Sequence, residues 1–501
     1  MDIKIFRGHI DGDKRNWYRQ YFFSLFHYRC PLMTDKNNSI QRAYSRRKFI
    51  KNTGLMGTAF AGSMVSGKAL AENYTSSTGL NQAGHFSRLG PEFIYLNSGT
   101  EGSMPNSVIE RLRKTIDQWA GNPTNSYETD EILGKHQYYN REKVARFLSV
   151  SKNNICLTDN TTMGLNMVIL GLNFKVTDKV IITNHEHNAI VSPLSVLQEK
   201  TGLTVIKRDF PTANILSTMN SDELLEFLLP DTDELRGAKA LCVSHVYPTT
   251  GARLPLEALR KKADALNIKY LIVDGAQAFG MVDISRGRDH ITHTDFYACP
   301  GHKWLNGPPS TGILYIKNSR ICPPEFYPIL SQRMTKYSGH QNEGGEFFPM
   351  AEALQVRGCS NAPGFSAMLE AIKFQQSLGG AELIERQILS LSQKVKDFIL
   401  SRSPEALVSP FKTQELLSGL TVFFPFNWDK PDQIFHDEKT ANEVVQTLLK
   451  RNIQIRSIGF DDPLGRGQKR YALRVSTGVF NTGKQIVYFQ KSLKEILKQI
   501  F

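Results

Sequence analysis

Seven short, β-rich apolar runs recur through the middle of the chain, and their spacing limits the fold more than any other feature. They are Ile155 to Thr158, Lys179 to Thr183, Thr204 to Arg208, Ala240 to Val246, Tyr270 to Asp274, Asp295 to Cys299 and Gly312 to Lys317. Runs such as KVIIT and YLIVD lack polar alternation, which suits strands buried on both faces of a sheet. Intervals of about 25 to 35 residues leave room for a crossover helix, so the pattern predicts an α/β large domain with a mostly parallel seven-stranded sheet flanked by helices. The last gap is only about a dozen residues, too short for a crossover helix, so the final strand should run antiparallel to its neighbours.

From about residue 365 the pattern changes to long helical segments (MLEAIKFQQSLG, LIERQILSLSQKVKDFILS), then short strands (GLTVFFPF, RYALRVS) and a closing amphipathic helix, KQIVYFQKSLKEILKQIF. This predicts a smaller C-terminal α+β domain over 365–501, after a large domain over 111–364 and a linker with an N-terminal arm over 72–110. The 501 residues, 41% of them hydrophobic, are enough for two or three packed units.

The net charge of +13 is concentrated at the N-terminus. Residues 1–71 hold 13 basic and 4 acidic side chains, a net of +9, and the remaining 430 residues carry only +4. A body so nearly balanced gives no bulk-charge signal for nucleic acid. Within the leader, Ser45-Arg46-Arg47-Lys48-Phe49-Ile50-Lys51 precedes the mildly apolar NTGLMGTAFAGSMVSG and then Ala69-Leu70-Ala71. Paired arginines, a weak hydrophobic region and a small-x-small cleavage site are the parts of a twin-arginine (Tat) export signal, read by the Tat translocase. The expected destination is the periplasm, reached already folded and with any cofactor bound. The apolar stretch is too short and too rich in Gly, Ser and Thr for a stable membrane anchor. WYRQYFFSLFHYRC does not fit such a signal, so the expected true start is Met33. The six cysteines are scattered, with no CxxC and no zinc-ligand spacing, so neither a disulfide framework nor a metal site is expected.

Three features fall at ends of predicted strands, where open α/β sheets bind ligands. Asp274-Gly-Ala-Gln277 follows YLIV, Gly301-His302-Lys303-Trp304 follows DFYACP, and Asn160-Thr161-Thr162-Met163-Gly164 follows ICLTD and should open a helix. A lysine held near a carboxylate forms a Schiff base with a carbonyl. A carboxylate at a pyridine nitrogen keeps that ring protonated, as an acceptor for carbanion electrons. A helix N-terminus with two hydroxyls holds phosphate through its free N–H groups. The three requirements together specify pyridoxal 5′-phosphate (PLP).

The body resembles the class V aminotransferase family of PLP-dependent fold type I enzymes, closest to its isopenicillin-N epimerase-like and cysteine desulfurase-like branches. The matching blocks are YLNSGTEGSMP, TDNTTMGLN, NHEHNAIVSP, VSHVYPTTGARLP, VDGAQAFG, GHKWLNGPPSTGILYI and LRVSTGVFNT, in the family's order from about residue 90 to 490. The resemblance implies that Lys303 links the cofactor and shuttles the substrate's α-proton, that Asp274 pairs with the pyridine nitrogen, and that Gln277 donates to the ring's phenolic oxygen. It also implies phosphate contacts from Thr161 and Thr162 with His302 as helper, His187 stacked on the ring, Arg474 clamping the substrate carboxylate, and a homodimer. A histidine at 187 could instead serve only a local hydrogen bond. Two departures stand out. Pro300 occupies a position where the desulfurase branch carries a phosphate-binding Ser, and Cys359 stands where the family often has a Thr that reaches the partner's phosphate.

The desulfurase branches place a nucleophilic cysteine in the small domain near the arginine block, and no cysteine follows Cys359. Persulfide-forming desulfuration is therefore disfavoured. The expected activity is that of an exported enzyme acting on an amino acid or an amino-acid unit of a peptide, with transamination ahead of epimerisation and of C–S lyase chemistry. Tailoring of a peptide siderophore in the periplasm is a further alternative by resemblance. A catalytically silent binding protein of the same fold is the alternative of another class, and an intact Asp274, Gln277 and Lys303 argue against it.

Overall fold

The computed structural model describes residues 83–123, 139–331, 347–358, 360–461 and 469–501. The twin-arginine segment, Met33, Ala69-Leu70-Ala71 and Cys359 lie outside the described residues.

The predicted sheet is present: β1 (Ile155–Thr158), β2 (Lys179–Thr183), β3 (Thr204–Arg208), β4 (Ala240–Ser244), β5 (Tyr270–Asp274), β6 (Phe296–Pro300) and β7 (Gly312–Ile316) lie in the order β1-β7-β6-β5-β4-β2-β3. Strand β7 is antiparallel to both β6 and β1, and the other neighbours pair in parallel. Three of the expected strands have shifted bounds, β7 ending at Ile316 rather than Lys317. Strand β4 stops at Ser244, because the chain beyond it turns back through a bridge between Val246 and Arg253, and β6 is shifted one residue to end at Pro300.

Burial on both faces follows from period-two alternation. Leu241, Val243, Leu271, Val273 and Tyr297 enter one core cluster, and Cys242, Ile272, Phe296 and Ala298 enter the cluster on the opposite face. Truncating a fully buried strand residue such as Ile272 to Ala should cost about 2–5 kcal/mol, since the transfer energy is lost and a cavity remains. The helix Thr161–Gly171 presses onto β6 where Gly164 has no side chain; a Cβ there would lie 2.9 Å from the Cβ of Ala298.

A second sheet of three antiparallel strands follows: β8 (Leu420–Phe423), β9 (Arg456–Asp461) and β10 (Lys469–Ser476), in the order β9-β10-β8. It shares a core with the helices Ala381–Leu400, Glu438–Leu449 and Gly483–Ile500. The last of these begins with a capping box between Thr482 and Gln485. The helix Ala362–Ser377 packs instead on the helix Asn106–Gly121 and joins the core of the large sheet.

The segment before residue 105 positions the site. Ile94–Tyr95 pairs in parallel with Ile453–Gln454, and Asn97 bridges to Ser476. This arm is thereby stitched to the C-terminal sheet while it crosses the end of the large one.

Candidate active site

The carboxyl ends of β4, β5 and β6 stand side by side, with Ser244, Asp274 and Ala298 in one row of the register. Beyond β1 the chain turns into the helix Thr161–Gly171, whose Asn160 cap accepts from the N–H of Met163 at 2.9 Å. The first-turn N–H groups of Thr161 and Thr162 have no acceptor within the helix. Thr161 is buried, and its Oγ1 has no hydrogen-bond partner; Thr162 is exposed. The Nδ1 of His302 is likewise buried without a partner. The orphaned Thr161 Oγ1 at a helix N-terminus, with the free first-turn N–H groups, is a donor set for phosphate. Pro300, buried at the end of β6 opposite Gly312, offers neither hydroxyl nor N–H.

Asp274 is 4% exposed, and the one hydrogen bond that the described residues give its carboxylate is from the N–H of Ala276, at 2.8 Å. Burial raises its pKa; the Ala276 N–H, the Lys303 ammonium and His187 oppose that rise. A buried carboxylate of this kind stabilises a protonated ring nitrogen placed against it.

Gln277 is fixed from both ends: its Nε2 donates to the Gly99 carbonyl at 2.8 Å, and its Oε1 accepts from Trp304 Nε1 at 2.9 Å. One Nε2 hydrogen remains for a further acceptor. His187 caps the helix Asn188–Thr201, its Nδ1 accepting from the N–H of Ala189 at 3.1 Å, so the local hydrogen bond considered for it is present. His187 is exposed; local desolvation lowers its pKa against the pull of Asp274, which favours the neutral ring.

Lys303 is half-buried, and its pKa is lowered to about 8. Burial is the main cause; Asp274 pulls it up, and the guanidinium groups of Arg474 and Arg456 push it down. Its backbone is pinned by the arm. The N–H of Gly102 donates to the His302 carbonyl at 2.7 Å, and a Cβ on Gly102 would stand 1.9 Å from the Lys303 carbonyl oxygen, so only glycine passes here.

Arg474, on β10, is 3% exposed. Its Nη2 donates to Thr100 Oγ1 at 2.9 Å and its Nη1 reaches the Pro248 carbonyl at 3.4 Å, while its Nε is buried with no partner. Burial lowers its pKa to about 9, and neighbouring Arg456 adds to that. No carboxylate among the described residues pairs with it. A buried guanidinium without a counter-charge is a receptor for an anionic ligand.

The fold thus brings Asp274, Gln277, Lys303, His187 and Arg474 to one end of the sheet. Sequence reasoning missed the arm residues Gly99, Thr100 and Gly102, because their role exists only once the arm crosses the sheet. It also missed Glu186, next to His187. This carboxyl accepts from Thr183 Oγ1 at 2.7 Å, Ser244 Oγ at 2.7 Å and the Tyr247 hydroxyl at 3.0 Å, and burial raises its pKa to about 7. Among the described residues no cluster of His, Cys, Asp and Glu could hold a metal ion.

The family model for Aminotransferase class-V matches residues 94–489. The chain belongs to this family. It is 29% identical over 423 residues to a probable cysteine desulfurase of Pyrococcus abyssi, covering 82% of this chain and 96% of that protein. It is 26% identical over 357 residues to the isopenicillin N epimerase of Streptomyces clavuligerus, covering 67% and 81%. In three dimensions it is similar to a C-DES variant with glycine covalently linked to its PLP cofactor, with a TM-score of 0.62 at 22% identity over 82% of this chain and 98% of that one. The class V chain is therefore an α/β enzyme of fold type I.

Proposed function

We propose that this PLP-dependent class V enzyme removes the α-proton of an amino acid, or of an amino-acid unit in a peptide, with transamination as the outcome. The observation that carries this reading is the placing of Lys303, pinned by the arm, beside the buried Asp274 and the unpaired, buried Arg474, whose opposed influences leave its amine lowered to about 8. When bound, PLP supplies an electron sink for the negative charge left on the substrate's Cα. Thr161 Oγ1, the first-turn N–H groups of Thr161 and Thr162, and His302 Nδ1 would hold the phosphate. Asp274 would hold a proton on the ring nitrogen, the remaining Gln277 N–H would meet the ring oxygen, and His187 would cover the ring face.

Within that frame, Lys303 Nζ takes the α-proton and returns it elsewhere, and a pKa near neutrality lets it do both. Arg474 would fix the α-carboxylate through its unpartnered Nε and one Nη. Epimerisation is the second reading, supported by the likeness to isopenicillin N epimerase. The desulfurase-named relatives raise C–S chemistry; a persulfide-forming route is disfavoured because no cysteine follows Cys359, and Cys359 itself is the one candidate that keeps it open.

The reading is tested by incubating purified, PLP-loaded protein with an amino-acid panel in deuterated water. Conversion of the cofactor to pyridoxamine phosphate supports transamination; deuterium at Cα with inversion means epimerisation, and a keto acid with a released fragment means a lyase. No spectral response to any amino acid or peptide overturns the transaminase reading.

We also propose that the protein is exported with PLP bound and works as a homodimer with two-fold symmetry. Export is supported by Arg46-Arg47 and Ala69-Leu70-Ala71, and the mature chain would begin near Glu72. Processing of an Arg46→Lys, Arg47→Lys precursor at the normal rate overturns export, and a fully active monomer in sedimentation overturns the dimer.

A further inference from the structure

Arg456 stands on β9 directly across the register from Arg474 on β10. The two guanidinium groups converge on one oxygen: Thr100 Oγ1 accepts from Arg474 Nη2 at 2.9 Å and from Arg456 Nη1 at 3.2 Å. The Thr100 hydroxyl hydrogen goes to Asn97 Oδ1 at 2.8 Å, which leaves its lone pairs for the two arginines. Asn97 is itself buried and bridged to Ser476, so the arm sets the direction of both side chains.

Among the described residues neither arginine has a carboxylate within ion-pair distance. Arg474 is buried and keeps an unpartnered Nε, whereas Arg456 is exposed. A single α-carboxylate neutralises one guanidinium, and two aligned cations of like charge repel until a second anion joins them. An exposed arginine ordinarily needs no partner, because water solvates it. This one is instead held in register with a buried arginine by a hydroxyl that serves both.

We propose that Arg456 recognises a second carboxylate, so that the substrate is an amino acid or amino-acid unit carrying a carboxylate beyond its α-carboxylate. This rests on the reading of Arg474 as the α-carboxylate clamp. Arg474 fixes the end that reacts, and Arg456 selects the side chain at the mouth. Chain length between the two carboxylates then becomes the selected property, with the Arg474–Arg456 pair as the ruler.

Calorimetry on the PLP-loaded protein with glutarate and butyrate, which carry no amine and cannot react, tests this directly. The wild type should bind glutarate about tenfold more tightly than butyrate, the worth of one charge-assisted contact. In Arg456→Gln that preference should collapse towards one, and in Arg456→Lys part of it should remain. Absence of a glutarate preference in the wild type overturns the proposal. So does an equal loss for both ligands in Arg456→Gln, which would mean that both arginines hold one carboxylate. Borohydride reduction followed by peptide mass mapping, run in parallel, reports attachment of PLP at Lys303, so failure of the cofactor reading is seen separately from failure of the dicarboxylate preference.

Discussion

Among the described residues two lysines have pKa values pushed far below that of a free lysine, and their surroundings differ. Lys303 is lowered to about 8 and Lys396 to about 7, in both cases chiefly by burial. Lys396, on the helix Ala381–Leu400, is 1% exposed, and its Nζ has only the Ser418 carbonyl at 3.5 Å. Around Lys303 stand a buried carboxylate, a doubly held glutamine, a buried guanidinium lacking a counter-charge and, at the adjoining sheet end, orphaned Thr161 and His302 donors. Burial alone can perturb a lysine anywhere in a core; what separates the two places is the set of neighbours left unsatisfied by the protein itself.

Exchanging the roles of the two lysines gives the largest expected effect. Lys303→Ala should reduce turnover about a thousandfold or more while the protein stays folded, since the covalent link and the base are lost together. Lys396→Met should retain turnover. Steady-state rates beside thermal melts decide the matter, and appreciable activity in Lys303→Ala would falsify the assignment.

Arg474→Lys should come next. A point charge cannot reproduce a two-bond planar fork, so kcat/KM should fall roughly 10- to 150-fold, with the cofactor's absorbance unchanged. If the true substrate is an internal residue of a peptide, free amino acids should suffer and the peptide should not. Assaying both with this one variant separates the cases.

Stability should move in the opposite sense at Lys396. A lysine lowered to about 7 binds its proton less readily when folded than when unfolded, so its cost to stability is full at and below pH 7 and vanishes as pH rises to 10.5. Lys396→Met should therefore stabilise the protein by on the order of 2 kcal/mol at neutral pH, and the gain should fade on the way to pH 10.5. Chemical denaturation across that range is the check; a gain independent of pH would mean that packing, not titration, sets it.

The smallest effect concerns the tuning of Lys303. Only its neutral amine attacks a carbonyl, so the rate of PLP attachment should rise with pH through about 8 and then level off. Removing the Asp274 charge in Asp274→Asn takes away what pulls the lysine up, and the limb should shift to lower pH. Arg474→Gln removes a neighbour that pushes it down, and the limb should shift higher. Stopped-flow absorbance reads both shifts, and shifts of the same sign in the two variants would discard this electrostatic account.

The sheet was legible because strands buried on both faces leave continuous apolar runs, and because a gap too short for a helix forces a reversal at β7. Asp274, Gln277 and Lys303 were legible because Asp274 closes β5 and the other two sit three residues beyond the ends of β5 and β6, where local order alone carries them to the end of the sheet. The helix at Thr161 was readable from its Asn160 cap. Strand β9 was not, since RSIGFD has no clean alternation and is held in place by its pairing with β10.

Arg456, Thr100 and Gly102 belong to what tertiary structure alone decided. Thr100 and Arg456 are 356 residues apart, and nothing near either in sequence implies that one hydroxyl will serve two arginines. Gly102 is required only because the arm passes against the Lys303 carbonyl. Lys396 makes the same point in reverse, as a charged residue type on the buried stripe of its helix, with its Nζ against the Ser418 carbonyl. Sequence determined the strands of the large sheet and the reactive groups at their ends, since those depend on contacts within a few residues. Which charges lack partners, and so what ligand they await, depends on surfaces brought together from distant parts of the chain.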